Sequence, residues 1–174
     1  MQFTSTGLAL TRRHALAALA ATGCGSYAHA LTGTSITNAP NFVLPSLQGQ
    51  TIALERLRGA VVWLDFWASW CPPCARSFPW MQSMQAQWGA QGLEVIAINV
   101  DRRAEDALSF LKKFGSQLAV AFDAQGNTAR SYQVKVMPTA FLIDRQGVVR
   151  HIHTGFKDSD GADLSQLIIQ WIGK

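Results

Sequence analysis

Two cysteines stand three apart in Cys71-Pro72-Pro73-Cys74, and that spacing has two common chemical uses. One is dithiol–disulfide exchange. The other is metal ligation, and structural zinc needs four ligands, typically a second Cys or His pair at matched spacing. The chain holds three cysteines in all, the third being Cys24, and beyond residue 40 its only histidines are His151 and His153. No second C-x-x-C accompanies the pair, which disfavours zinc, and no cofactor or metal is expected. A third reading, two inert core cysteines, conflicts with the setting, because the pair follows an apolar run and opens a helical pattern. There the chain surfaces. A cysteine at a helix N-terminus lies beside unpaired backbone N–H groups and the positive end of the helix dipole, and both favour the reactive thiolate. Pro72 and Pro73 lack N–H groups, which costs nothing in a first turn whose donors have no intrahelical partner. Cys71 at the cap is therefore the attacking sulfur, and Cys74, one turn further in, the resolving one.

The elements that hold the pair are legible from periodicity. Ala60 to Phe66 is a continuous apolar, β-branched run, the pattern of a strand buried on both faces. Pro72 to Trp88 is predicted as a helix with Phe78, Met81, Met84 and Trp88 on one face. Leu93 to Val100 is a second buried strand and Ala104 to Phe114 a second amphipathic helix. A short strand (Ala119 to Phe122) and a short helix (Asn127 to Tyr132) follow. Thr139 to Asp144 and Val148 to His153 form an antiparallel hairpin about Arg145-Gln146-Gly147, and Asp160 to Trp171 closes the chain as a helix. Before all of these, Asn41 to Leu54 reads as a small hairpin, with Pro45 and Gln48-Gly49-Gln50 as its turn signals. Strands alternating with helices and ending in a hairpin imply an α/β domain with a central mixed sheet covered on both faces.

The chain's 174 residues suit one domain with a short appendage, and 48% hydrophobic against 15% charged residues supports a real core. Residues 1–30 differ in character. Arg12-Arg13 precede the apolar run Ala15 to Ala21, and small residues follow, which is the order of a secretory signal peptide. The run is far shorter than the roughly 20 residues that span a bilayer. Ala28-His29-Ala30 offers a cleavage site. Alternatively, Ala21-Thr22-Gly23-Cys24 resembles the lipobox of bacterial lipoproteins, which would anchor the protein through Cys24. The Arg pair also leaves the twin-arginine route open beside the general one. Residues 31–40 read as a linker and 41–174 as the domain. Removing Arg12 and Arg13 lowers the formal charge from +4 to +2, with no basic run, so no nucleic-acid partner is indicated.

Trp63-Leu64-Asp65-Phe66-Trp67-Ala68-Ser69-Trp70-Cys71-Pro72-Pro73-Cys74 resembles the thioredoxin superfamily, specifically its exported TlpA/ResA-like disulfide reductase branch. Tyr132-Gln133-Val134 with Pro138 to Gly147, and Leu54 to Gly59, match the branch independently, in the right order, so the resemblance covers about residues 41–174. It implies a thioredoxin-like fold with an N-terminal β-hairpin extension. It also implies that Pro138 is the cis-proline opposite the dithiol, the alternative being a trans proline that starts a strand. Met137, Pro138, Trp70 and Pro72 would then contact the client, with Trp67 and Trp70 packed beside the sulfurs. Asp65 would be the buried acid that takes the proton from Cys74; a plainer alternative is an Asp bonded to backbone at the sheet edge. The chain departs from the branch at Ser77, where an acidic residue often stands, at Asp65, where Asn is common, and at Met137, where Thr is common.

The leading expectation is a periplasmic enzyme that reduces disulfides in other exported proteins and is re-reduced by a membrane thiol carrier of the DsbD/CcdA type. By resemblance, its clients include apocytochrome c and copper-site proteins. A DsbA-type oxidase or isomerase is the alternative enzyme; Pro73 argues against it, since such proteins often carry His before the second cysteine. A thiol peroxidase would need a cysteine framed by Thr and Arg instead of a C-x-x-C pair. A non-enzymatic copper chaperone would bind Cu(I) through Cys71 and Cys74, with Met137, His151 or His153 as a further ligand.

Overall fold

The computed structural model describes residues 38–47 and 49–174. The run expected to be buried on both faces becomes β3 (Val61–Trp67), every residue of which is buried. It occupies the middle of a five-stranded sheet ordered β5-β4-β3-β6-β7. The other strands are β4 (Leu93–Asn99), β5 (Ala119–Phe122), β6 (Thr139–Ile143) and β7 (Val149–Thr154). β3, β4 and β5 run parallel, and β6 and β7 pair antiparallel. The sheet is mixed, as expected. A separate antiparallel pair, β1 (Val43–Pro45) with β2 (Thr51–Ala53), supplies the N-terminal hairpin.

Alternation along β3 sorts the core into two layers. Val61, Trp63 and Trp67 join Cys74, Phe78 and Met81 of α1 (Pro72–Trp88), Phe110 of α2 (Ala104–Phe114), and Leu164 and Ile168 of α4 (Asp160–Ile172). Val62, Leu64 and Phe66 join Phe42, Leu54 and Tyr132 on the opposite side, beneath the hairpin and α3 (Asn127–Ser131). Phe78, Met81 and Met84 are the buried face of α1, as their spacing predicts. Gly147 takes a φ of 79° in the turn between β6 and β7, where a side chain would be strained.

The expected linker ends earlier than residue 40. Asn38 bridges to Val148, Ala39 N–H donates to Gly147 O at 2.9 Å, and Tyr132 Oη donates to Pro40 O at 2.8 Å. Residues 38–40 are therefore fastened to the domain. Three backbone-directed bonds and a buried Ala39 outweigh the loop-like composition that made them read as linker. The signal peptide of residues 1–30, the lipobox at Cys24 and linker residues 31–37 lie outside the described residues. Among the described residues, no helix is long and apolar enough to cross a membrane.

Candidate active site

β3 delivers the chain to the C-terminal end of the parallel strands, Cys71 N–H donates to Ala68 O at 3.2 Å to form a turn, and α1 begins. Cys71 is the N-cap residue, with extended backbone, and the two prolines fill N1 and N2. Of the first three helical positions, only Cys74 keeps an N–H. That N–H donates to Cys71 Sγ at 3.2 Å. The sequence thus aims one backbone donor of the first turn at the cap sulfur, where an anion is stabilised. The two sulfurs are joined at 2.01 Å, with the Cα atoms 5.3 Å apart. Cys71 is 3% exposed and Cys74 fully sealed, so the N-terminal sulfur is the one nearer solvent.

A cavity of about 390 Å³ opens beside Cys71, lined by Trp70, Pro72, Ala75, Phe110 and Phe114 and rimmed by Asp106 and Lys113. Trp70 is 69% exposed and stands at this mouth instead of packing into the core. Trp67 is the packed member of the pair: it is fully buried against Phe78 and Phe110, at ring-centroid distances of 4.8 and 4.7 Å. A larger cavity of about 650 Å³, between the segment before Pro138 and β7, contains no cysteine.

The Met137–Pro138 peptide is cis. Pro138 O accepts from Gly155 N–H at 2.8 Å, and Thr139 Oγ1 donates to Val136 O at 2.8 Å, which fix the segment on both sides. Among the described residues, the backbone N–H and C=O of Met137 make no hydrogen bond, leaving them free to pair with an extended peptide.

Asp65 lies in the centre of the sheet, 2% exposed, with Ala97 and Ala140 as its partners on the adjacent strands. Its face is that of Cys74 and α1, because it alternates with Trp63 and Trp67. Asp65 Oδ2 has no hydrogen-bond partner. The sheet-edge alternative is thereby corrected: the strand is central and the carboxyl is not tied to backbone. Burial without a partner holds its pKa well above the usual carboxylate range. Ser77 donates its hydroxyl to Cys74 O at 3.0 Å, so this buried helix position contributes a satisfied polar group.

One group escaped the sequence reading. Asp101, 4% exposed, accepts from Ser69 N–H at 3.0 Å, Ser69 Oγ at 3.2 Å and Asn99 Nδ2 at 2.8 Å. Val100 N–H donates to Trp67 O at 3.0 Å. The end of β4 therefore clamps the Ala68-Ser69-Trp70 turn that presents Cys71. The available signal was Asn99 and Asp101, two polar residues at the C-terminal end of a buried parallel strand, where sites gather in open α/β sheets.

His151 and His153 lie on the α4 face of β7 in a cavity of about 250 Å³ that neither Cys71 nor Cys74 lines. Among the described residues, no group of three or more His, Cys, Asp or Glu side chains could hold a metal ion.

Residues 37–152 match the AhpC/TSA family model. The thiol-disulfide oxidoreductase ResA of Geobacillus thermodenitrificans is 37% identical over 79% of this chain and 81% of its own length. The chain belongs to the ResA-type thiol-disulfide oxidoreductases. A second ResA, from Bacillus subtilis, is 37% identical over 68% of this chain and 66% of its own length. Among solved structures, a Chlorobium tepidum chain described as a thiol:disulfide interchange protein DsbE is 48% identical with a TM-score of 0.77. That match covers 79% of this chain and 97% of the other. The ResA-type fold and the Cys71–Cys74 disulfide thus stand together on one domain.

Proposed function

We propose that this protein is an exported protein-disulfide reductase working by dithiol exchange through Cys71 and Cys74. The observation that carries the reading is the helix cap: the Cys71 sulfur receives the one N–H left in the first turn, while its partner sulfur is sealed behind it. In the reduced protein that N–H and the helix dipole favour the Cys71 thiolate.

Cys71 thiolate attacks one sulfur of a client disulfide, forming a Cys71–client mixed disulfide and releasing the other client sulfur, which takes a proton from solvent. Cys74 then gives its proton to the Asp65 carboxylate and attacks Cys71 Sγ. The mixed bond breaks, the second client sulfur leaves and is protonated, and the Cys71–Cys74 disulfide forms. Two electrons have passed to the client. The client strand lies against the free backbone groups of Met137 beside Pro138, and Trp70 and Pro72 flank the attacked bond.

The signal-like order of charge, apolar run and small residues in 1–30 supports the periplasm as the compartment, with cleavage after Ala30 or anchoring through Cys24. An oxidised enzyme there needs a donor, and a membrane thiol carrier of the DsbD/CcdA type fits. Apocytochrome c and copper-site proteins are the client classes to test first. Trapping in vivo with Cys74→Ala tests the whole reading: clients and donor should accumulate on Cys71 as reducible adducts, and none should form in Cys71→Ser. An exported, folded Cys74→Ala protein that collects no adduct overturns it. A reduction potential near about −270 mV supports reduction of clients, whereas about −120 mV would assign oxidation instead.

A further inference from the structure

A thioether needs no deprotonation to react with an electrophilic oxidant, so access decides which methionine is oxidised. Three methionines fall among the described residues. Met81 and Met84 lie on the buried face of α1, 0% and 4% exposed. Met137 is half-buried and follows Val136, which is 52% exposed. It packs against both core layers at once, one of which contains Cys71 and Cys74. The bonds from Gly155 N–H to Pro138 O and from Thr139 Oγ1 to Val136 O fasten the backbone beside it, so the side chain stays at that seam. In the disulfide form the other sulfurs offer little competition. Cys71 and Cys74 are bonded to each other at 3% and 0% exposure, and neither is a thiolate. Among the described residues, Met137 is thus the most accessible sulfur of the oxidised protein.

We propose that Met137 is an oxidation switch: a peroxide converts it to the sulfoxide while the enzyme stands oxidised, and the sulfoxide weakens the hold on protein clients. The sulfur lone pair attacks one peroxide oxygen, the O–O bond breaks, an S=O bond forms and water leaves. Sulfur loses two electrons and the peroxide gains them. The reduced enzyme answers the same oxidant differently. Its Cys71 thiolate takes one oxygen, giving a sulfenic acid and hydroxide; the Cys74 thiol then displaces that oxygen as water and closes the disulfide. The dithiol thereby shields Met137, and the sulfoxide accumulates once re-reduction of the enzyme falls behind. A flexible apolar contact then becomes a polar one at the seam of the two layers. The effect on clients rests on the reading that their strand lies against Met137; the site of oxidation does not.

The test follows both the oxygen and the activity. Oxidised protein is exposed to hydrogen peroxide, sampled over time, digested and weighed. One oxygen should appear on Met137 while Met81 and Met84 stay unmodified, and protein reduced beforehand should close its disulfide before Met137 gains oxygen. Dithiothreitol then reduces the disulfide and leaves the sulfoxide in place. Toward insulin, a protein disulfide, kcat/KM should fall about tenfold, the scale of losing one good interface contact. Toward hydroxyethyl disulfide, which has no strand to lay on the segment, it should hold. Met137→Leu, compared with itself before and after peroxide, should lose nothing. If Met81 or Met84 oxidises as fast as Met137, or if Met137→Leu loses as much activity, the site is wrong. A fall toward both substrates would mark general damage and overturn the switch. If the sulfoxide leaves insulin reduction unchanged, the switch fails, and untreated Met137→Arg shows how far the failure reaches. Slow insulin reduction by that variant keeps the client strand at Met137, whereas a normal rate removes it as well.

Discussion

Replacing Asp65 with Asn should change how stability depends on pH more than it changes stability at any single pH. The carboxyl is 2% exposed, its Oδ2 is unpartnered, and burial raises its pKa well above 3.8. The unfolded chain releases this proton near the ordinary carboxylate value, whereas the folded chain keeps it to higher pH. Between those two points the native state holds one more proton than the unfolded state, so stability falls as pH rises. The slope for one proton is about 1.4 kcal/mol per pH unit. The contribution is at its best below the unfolded value and is lost progressively up to the folded one. Asn cannot ionise. Its amide finds no side-chain partner on Ala97 or Ala140, a loss of about 1–3 kcal/mol, but that offset is independent of pH. Urea unfolding of the oxidised protein at half-unit steps upward from the ordinary carboxylate range measures both quantities. The stability difference between Asp65→Asn and wild type should move in favour of the variant as pH rises, with a slope of at most about 1.4 kcal/mol per unit. Parallel curves over the whole range would mean that Asp65 ionises as freely in the native state as in the unfolded chain. The buried-acid argument would then be wrong.

Asp144 has the opposite sign. Burial pushes its carboxyl up, but hydrogen bonds from Val148 N–H and Arg150, the Arg150 charge and Gln146 N–H outweigh it, leaving the pKa below 3.8. Its contribution is complete above the unfolded value and lost as pH falls through the folded one, so Asp144→Asn should flatten the acid limb of an unfolding-versus-pH curve. Asp101→Ala orphans the half-buried donor Ser69 N–H and the buried Asn99 Nδ2; a loss of about 3 kcal/mol in urea unfolding is expected, with slower attack by Cys71 on any disulfide. Trp70→Ala removes an exposed ring and should leave stability within about 0.5 kcal/mol. It should slow exchange with protein clients several-fold while sparing a small disulfide, as parallel stopped-flow traces would show.

The fold was legible where pattern and burial coincide. β3 is apolar on both faces because helices cover one side and the hairpin and α3 the other, and a continuous run is what such a position leaves in a sequence. The cap was legible because Pro-Pro between two cysteines fits only the first turn of a helix. The hidden parts depend on contacts between distant segments. Ser69 and Asp101 stand 32 positions apart and meet only because β3 and β4 run parallel and end together. Residues 38–40 look like linker because their bonds go to Gly147 and Tyr132, which no local window contains.

β7 shows how the same limit bears on chemistry. A strand reading Val-Arg-His-Ile-His-Thr invites the expectation that isoleucine points inward and the histidines outward. Instead Ile152 is 43% exposed on the side of Phe141, and both histidines share the layer of α1 and α4. Register forces this: once Ala140 is bound opposite Asp65, its partner on the next strand must fall on the same face. A slip of one residue would put Ile152 beneath α4, a better apolar contact, and would turn both histidines to the side of Phe141. The β6–β7 pairing is irregular at Leu142/Ile143, so the strand has a place to absorb such a slip, yet the register places the histidines inward. Apolar burial alone favours the opposite choice, and the contact of His153 Nε2 with Asp160 Oδ2 at 3.4 Å is what the adopted register gains.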